Sequence, residues 1–391
     1  MKKWFSLILT VLLLCGAVIP AAGAAAEKPT NVILMIGDGM GWNHLQLAKQ
    51  ERGIKLFMED ECDVSGSSKT RSSSSSVTDS AAGGTALSCG VRTTNRYVGV
   101  YFYDPLGWFT VPRTLAEAAL DSGRRSGVIT TDNTDGATPA SFTAHTNDRS
   151  NSADITTQQS RSDFDLIWGG AVSTFSADEA QAHGFTVVTT AEEMQSLEPG
   201  SKSFGQFDSN TMWRVDAPEG SASPTLSEMT EKAISLLDGE KGFFLMVEGA
   251  HIDKWSHTSN EADNYDTKVA NAAEAVEEFD HAIEIAASFA RRDGNTLVVV
   301  TADHETGGIT LIDGKYTYTK TSHSGADVPV IVFGKEDFIA PHAHIKNKEV
   351  SRRIGRYLGL DGLFPKAAPG KLFWKAEDTR DWFRTLFSRT K

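Results

Sequence analysis

Two acid–histidine pairs and one serine carry the chemistry this sequence could perform. Asp253 and His257 stand four residues apart. In a helix both lie on one face, a spacing that suits two ligands of one cation and equally a surface helix pair. Asp303 and His304 follow the apolar run Val298-Val299-Val300, offering an oxygen and an imidazole at a strand end. Zinc accepts that donor set, and a structural ion pair would use it too. Asp38, in Gly37-Asp38-Gly39-Met40-Gly41, either joins such a site or shapes the turn. Glu248 ends another apolar run, and His323, in Thr321-Ser322-His323-Ser324-Gly325, has little support alone. Ser80, in Asp79-Ser80-Ala81-Ala82-Gly83-Gly84, opens a helix, where free N–H groups and the dipole favour an anion; simple N-capping uses the same pattern. No Gly-x-Ser-x-Gly elbow surrounds it, which turns the reading away from a histidine-activated triad. Metal activation fits better, because a coordinated hydroxyl loses its proton far more readily than a free one.

The elements that must position these groups read as an α/β pattern. Strands are expected over Asn31–Ile36, Ser126–Thr131, Asp165–Gly169, Phe243–Val247, Thr296–Thr301 and Pro329–Phe333, each a β-branched or aromatic run bounded by Gly, Asp or Pro. Helices fill the intervals 43–52, 80–90, 112–122, 226–238, 265–290 and 348–358. The pattern predicts one α/β domain, a largely parallel central sheet with helices on both faces. Residues 150–225 read as a loop-rich surface elaboration. The strand ends Gly37-Asp38-Gly39, Thr131-Asp132-Asn133, Glu248-Gly249-Ala250-His251-Ile252-Asp253 and Thr301-Ala302-Asp303-His304-Glu305 should converge, since ligands gather at the carboxyl ends of strands. So many carboxylates in one cleft would repel one another unless a metal offset their charge.

The 391 residues, 40% hydrophobic and 23% charged, give an ordinary globular balance. A net charge of -13 argues against nucleic acid as a specific partner held by bulk electrostatics. Residues 1–26 read as a cleaved secretory signal: Lys2 and Lys3, an apolar run from Trp4 to Ile19, then Ala24-Ala25-Ala26. The expected location is exported, periplasmic or extracellular. Cys62 and Cys89 would remain, enough for one disulfide or for free thiols. Residues 364–391 read as an amphipathic C-terminal tail, docked on the body or touching a membrane surface. Lys69 and Arg71, just before Ser72–Ser76, read as a surface loop near the site, with recruitment of anionic substrate as the sharper alternative.

Taken in order, the motifs resemble the alkaline phosphatases from about Asn31 to Leu360. The resemblance implies that family's three-layer α/β sandwich over residues 27–363 and a phosphomonoesterase with broad specificity for small phosphate monoesters. Ser80 in Thr78-Asp79-Ser80-Ala81 matches the nucleophile that becomes phosphorylated. Asp38, Asp303 and His304 match the ligands of the zinc that holds it, and Asp253, His257 and His323 those of a second zinc. Asp38 would bridge to a third, magnesium-type site completed by Thr138 and Glu248. Arg149 matches the arginine that grips the phosphate.

Three departures stand out. Many relatives carry Asp or His two residues before the threonine of the third site, where this chain has Gly136, with Asp135 one residue earlier. Lys254 follows Asp253 at a position that in some relatives touches the third site through water. Only 18 residues separate His304 from His323, leaving little of the insertion that builds a crown over the dimer in some relatives, so a homodimer is an open expectation. A phosphodiesterase or sulfatase of the same superfamily and a non-catalytic zinc-binding protein are the rival readings. Ser80-Ala81-Ala82-Gly83 lacks the Pro and Arg a sulfatase needs, and a zinc store has no need of Ser80 or Arg149.

Overall fold

The computed structural model describes residues 30–102, 109–215 and 218–364. The signal segment, the boundaries drawn at its end, and the tail beyond Phe364 lie outside them. Ten strands form the main sheet: β1 (Asn31–Gly37), β2 (Val64–Lys69), β3 (Arg125–Asn133), β4 (Leu166–Gly170), β5 (Thr186–Val188), β6 (Ser203–Phe207), β7 (Phe243–Gly249), β8 (Thr296–Thr301), β9 (Val328–Phe333) and β10 (His344–Lys346), in the order β10-β2-β9-β8-β1-β7-β3-β4-β6-β5. Pairing is parallel from β8 through β5. Only β9 runs against its neighbours, β8 and β2, so β2 and its parallel partner β10 point the same way as β1.

Strand alternation sends Ile33 and Met35 of β1 to one face and Val32, Leu34 and Ile36 to the other. The first face carries α1 (Trp42–Arg52), α5 (Leu226–Leu237), α6 (His251–Ser256) and α7 (Tyr265–Asp293). The second carries α2 (Ser80–Cys89), α3 (Leu115–Asp121), α4 (Ala137–Thr143) and α8 (Asn347–Tyr357). All seven residues of β1 are buried, as a central parallel strand covered on both faces requires. Truncating a core residue such as Leu34 to Ala costs roughly 2–5 kcal/mol at sites of this kind.

One expectation changes, and one open alternative is decided. Residues 150–225 hold β4, β5 and β6, which extend the sheet beyond β3. The strand expected over Asp165–Gly169 is β4, whereas the three-residue β5 and the Gly-interrupted Ser203-Phe204-Gly205-Gln206-Phe207 of β6 gave little periodicity to read. Cys62 and Cys89 are both free, and burial pushes the Cys89 thiol up to about 12.

Candidate metal and phosphate site

The carboxyl ends of β1, β3, β7 and β8 meet at one point of the sheet edge, as the strand-end acids predicted. From β1 the chain turns at Gly39, whose φ of +73° lies in the left-handed region and whose missing side chain would strike Asp253 and Thr306. That turn leaves the Gly39 N–H to donate to Oδ1 of Asp303 at 3.2 Å. Asp79 caps α2, accepting from the Ala82 N–H at 3.0 Å, so Ser80 is the first helical residue. Gly83 lets this helix approach closely, for a Cβ there would lie 2.8 Å from the Asp303 carbonyl oxygen.

Nε2 of His304 is the hub of the first group. It lies 3.1 Å from Oγ of Ser80, 3.4 Å from Oδ1 of Asp38 and 3.3 Å from Oδ2 of Asp303. Those same two carboxylate oxygens are buried without a hydrogen-bond partner. A buried orphan carboxylate oxygen is costly unless a cation serves it. A tetrahedral ion with donors at about 2.0–2.2 Å holds them about 3.3–3.6 Å apart. The Asp38 and Asp303 spacings from Nε2 fall in or beside that interval, and the donor set is the N and O type zinc accepts. The residues fit the metal.

The second group is Asp253, His257 and His323. Nε2 of His257 is 3.2 Å from Oδ2 of Asp253, and Nε2 of His323 is 3.6 Å from Oδ1. Each ring is turned inward by its other nitrogen: His257 Nδ1 contacts the Thr321 carbonyl at 2.8 Å, His323 Nδ1 the Thr78 carbonyl at 3.0 Å, and His304 Nδ1 Oγ1 of Thr306 at 3.2 Å. This is the orienting arrangement that metal-binding imidazoles use. Among the described residues two sets of donor atoms are close enough to share an ion, Asp253–His257–His323 and Asp38–Asp253–His304. Asp253 thus stands between the two groups.

The third cluster holds Thr138, whose Oγ1 donates to Oδ2 of Asp38 at 3.4 Å, and Glu248, which accepts from Thr130. Arg149 faces this site from one side, its Nη1 3.5 Å from Oδ2 of Asp79.

The electrostatics of the chain's own groups are those of crowded, buried acids, offset only in part by Arg149. Burial, then the neighbouring Asp303, Asp253 and Glu248, push Asp38 well above the usual carboxylate range. Burial and Asp253 raise Asp303 to about 7; burial and Asp132 raise Glu248 to about 8. Burial also holds His304 well below its ordinary value, with His323 adding to the effect. Asp253 goes the other way: burial alone would raise it, but the hydrogen bond with His257 and the surrounding imidazoles pull it down. A divalent cation would reverse the penalty on every raised acid.

All ten residues singled out in the sequence therefore lie at this edge. Sequence reading missed Asp79 as a partner of Arg149 and Thr306 as a donor to Asp253, and it placed Asp132 at a converging strand end without its pairing to Lys254. Asp79 adjoins Ser80 in the nucleophile motif, and Asp132 ends a strand whose neighbours supply the site. Position was the available signal in both cases.

A largely parallel α/β sheet that gathers the buried His304, the more exposed His257 and His323 and several buried carboxylates around a serine is an arrangement suited to metal-dependent hydrolysis. The family model for alkaline phosphatase matches residues 29–175 and 172–350, and the chain belongs to that family. The alkaline phosphatase of Schizosaccharomyces pombe is 35% identical over 324 residues, 73% of this chain and 57% of the yeast protein, so the match spans little more than half of that relative. Alkaline phosphatase 4 of Bacillus subtilis is 31% identical over 331 residues, 78% of this chain and 68% of its own length. The alkaline phosphatase of the Antarctic bacterium TAB5 is 30% identical, superposes with a TM-score of 0.72, and covers 85% of this chain and 98% of its own. A histidine-to-aspartate variant of that enzyme has magnesium bound in its M3 site.

Proposed function

We propose that this chain is an exported, metal-dependent phosphomonoesterase that hydrolyses small-molecule phosphate monoesters through a phosphoserine on Ser80. Family membership supports the hydrolase, and the arrangement around Nε2 of His304 supports the metals. The carrying observation is that Ser80 Oγ sits 3.1 Å from that nitrogen, beside the two orphaned oxygens of Asp38 and Asp303.

In this reading Asp38, Asp303 and His304 hold one zinc, Asp253, His257 and His323 a second, and Asp38, Thr138 and Glu248 a magnesium-type ion. Magnesium in the M3 site of the TAB5 variant supports the third assignment. When bound, the ions would lower the pKa of the serine hydroxyl and of water and neutralise charge on the transferring phosphoryl group. The chain's own residues do the rest. Ser80, freed from capping because Asp79 fills that role, presents Oγ to phosphorus at the N-terminus of α2, where unpaired N–H groups favour the phosphate. Arg149 offers a planar fork to two phosphate oxygens. Asp79 holds that guanidinium from behind and its own second oxygen in the helix cap. Recognition of phosphate alone gives broad specificity for the organic group. Export rests on the sequence of residues 1–26; among the described residues no helix is long and apolar enough to cross a membrane.

The test is hydrolysis of an aryl phosphate by the purified chain, before and after chelation, with zinc and magnesium restored separately. Loss on chelation and recovery with zinc is expected. Full turnover in the chelated protein would overturn the mechanism.

A further inference from the structure

The loop that begins at Lys69 and Arg71 is the visible part of a larger basic cluster. Lys69 ends β2 and Lys346 ends β10, and the two are directly paired in register, so like charges sit on adjacent strands about 4.8 Å apart. Arg92, just past the end of α2, faces Arg71, and both burial and that neighbour push its guanidinium down. Lys348, in the first turn of α8, faces Arg352, Arg92 and Lys346. Cations in a first helical turn oppose the helix dipole. Two carboxylates accompany these six cations: Glu349, 3.8 Å from Lys346, and Asp327, engaged with His344 at 3.2 Å. Among the described residues Lys69, Arg71, Arg92 and Lys348 make no ion pair. In a chain of net charge -13, such crowding is unfavourable until an anion arrives.

Its position relates it to the reactive centre. Because β2 and β10 run parallel to β1 and β8, Lys69 and Lys346 stand at the same carboxyl edge of the sheet as Asp303 and His304. β2 is two strands from β8 and β10 three, which places Lys69 and Lys346 about 10–14 Å to the side of the β8 end that carries Asp303 and His304. A phosphate held by Ser80 would leave further anionic groups of the same molecule within reach of it.

Resting on the phosphomonoesterase reading above, we propose that the preferred substrates are polyanionic: phosphate monoesters at the end of a linear phosphodiester chain whose remaining charges lie along Lys69, Arg71, Arg92, Lys346 and Lys348.

Thymidine oligomers with a 5′-phosphate serve as linear phosphodiesters of defined length. With the full chain at low ionic strength, kcat/KM for the hexamer should exceed that for the single nucleotide by about tenfold, a modest focusing effect. A hexamer with uncharged methylphosphonate linkages should lose the gain, and about 0.5 M salt should remove it by screening. The Lys69→Glu/Arg71→Glu/Lys348→Glu variant should lose the gain while hydrolysing an aryl phosphate as the parent does. The milder Lys69→Gln/Arg71→Gln/Lys348→Gln variant should behave likewise if charge reversal disturbs folding. Fluorescence anisotropy of a labelled hexamer reads binding without turnover, and should weaken about tenfold or more in both variants. Equal kcat/KM for hexamer and monomer, or a gain kept by the neutral hexamer, would overturn the proposal while aryl phosphate turnover persists. Absence of aryl phosphate turnover would instead sink the underlying activity, and anisotropy unchanged by the substitutions would then sink the basic track separately.

Discussion

Nε2 of His304 and Oγ of Ser80 stand 3.1 Å apart at the carboxyl edge of the sheet, with the imidazole fully buried and its Nδ1 turned to Thr306. A serine–histidine contact alone would suggest a proton-transfer pair. The neighbours decide otherwise: burial holds His304 well below its ordinary pKa, and Asp38 and Asp303 aim unpartnered oxygens at the same nitrogen. This geometry is that of a ligand sphere. Ser80→Ala should therefore abolish aryl phosphate turnover, by roughly 10³-fold or more as for other nucleophile deletions, while zinc stoichiometry measured on the dialysed protein stays that of the parent. Loss of bound zinc together with activity would instead make Ser80 a structural ligand.

Asp79 joins two tasks that are separable by kinetics. Its Oδ1 accepts from the Ala82 N–H at 3.0 Å, while Oδ2 accepts from the Arg96 N–H at 2.9 Å and approaches Arg149 Nη1 at 3.5 Å. Asp79→Ala should lower stability by about 1 kcal/mol through the lost cap. It should also raise KM for an aryl phosphate and weaken inhibition by inorganic phosphate more than it lowers kcat, because Arg149 loses its rear support. Steady-state kinetics and a urea titration check both. A stability loss with unchanged KM would confine Asp79 to capping.

How much was legible in the sequence follows from the same residues. All six predicted strands and all six helices recur within a few residues, because each carried a continuous apolar run or a 3.6-residue period. The antiparallel direction of Pro329–Phe333 was not legible, because it depends on how the chain between His304 and Val328 folds back. Asp38, Asp253, Asp303 and His304 were legible because strand ends in an open sheet converge, His257 because it stands four residues from Asp253, and His323 only through the family resemblance. The partners of Arg149 and Lys254 were not. They depend on how residues far apart in the sequence approach, Asp79 to Arg149 and Asp132 to Lys254, and no periodicity encodes that.

Gly136 illustrates how the structure fills a gap in a motif. A Cβ at that position would lie 2.5 Å from Oδ2 of Asp132, so the carboxylate of Asp132 occupies the space a side chain there would take. Lys254 is ion-paired to the same carboxylate, and Asp132 is the foremost charged neighbour raising Glu248. If Asp38, Thr138 and Glu248 hold magnesium, Asp132 belongs to its surroundings. Asp132→Ala should weaken magnesium binding to the chelated, zinc-restored protein about tenfold by calorimetry, the effect typical of outer partners of a metal, with zinc binding unchanged. Identical magnesium affinity would remove Asp132 from the site. Gly136→Ala, which forces Asp132 aside, should shift magnesium affinity in the same direction.

His145 fastens the segment that carries Arg149. Its Nδ1 lies 2.7 Å from the Gly99 carbonyl and its Nε2 3.0 Å from Oε1 of Glu117. Both neighbours are acceptors, so the ring satisfies them only as the imidazolium. Burial alone would lower the pKa of His145, but the charge and hydrogen bond of Glu117 and the Gly99 carbonyl outweigh it and raise the group above 6.5. The same pair holds Glu117 below 4.5, although burial opposes the shift. A raised histidine contributes stability that is complete below its unfolded value and is lost as pH rises through the folded one. A lowered glutamate contributes stability that is complete above its unfolded value and is lost as pH falls through the folded one. The pair is therefore worth most between 4.5 and 6.5. His145→Gln should cost about 2 kcal/mol there, the range of a charge-assisted hydrogen bond. The difference in urea midpoint between parent and variant should shrink as pH climbs into the alkaline range. Because the Arg149 N–H donates to the Arg96 carbonyl at 2.8 Å and Thr146 bridges Val98, loosening this clamp should also raise KM for a phosphate ester at high pH in the parent and at all pH values in the variant. A stability difference that stays constant from pH 5 to pH 9 would show that His145 acts through packing rather than charge.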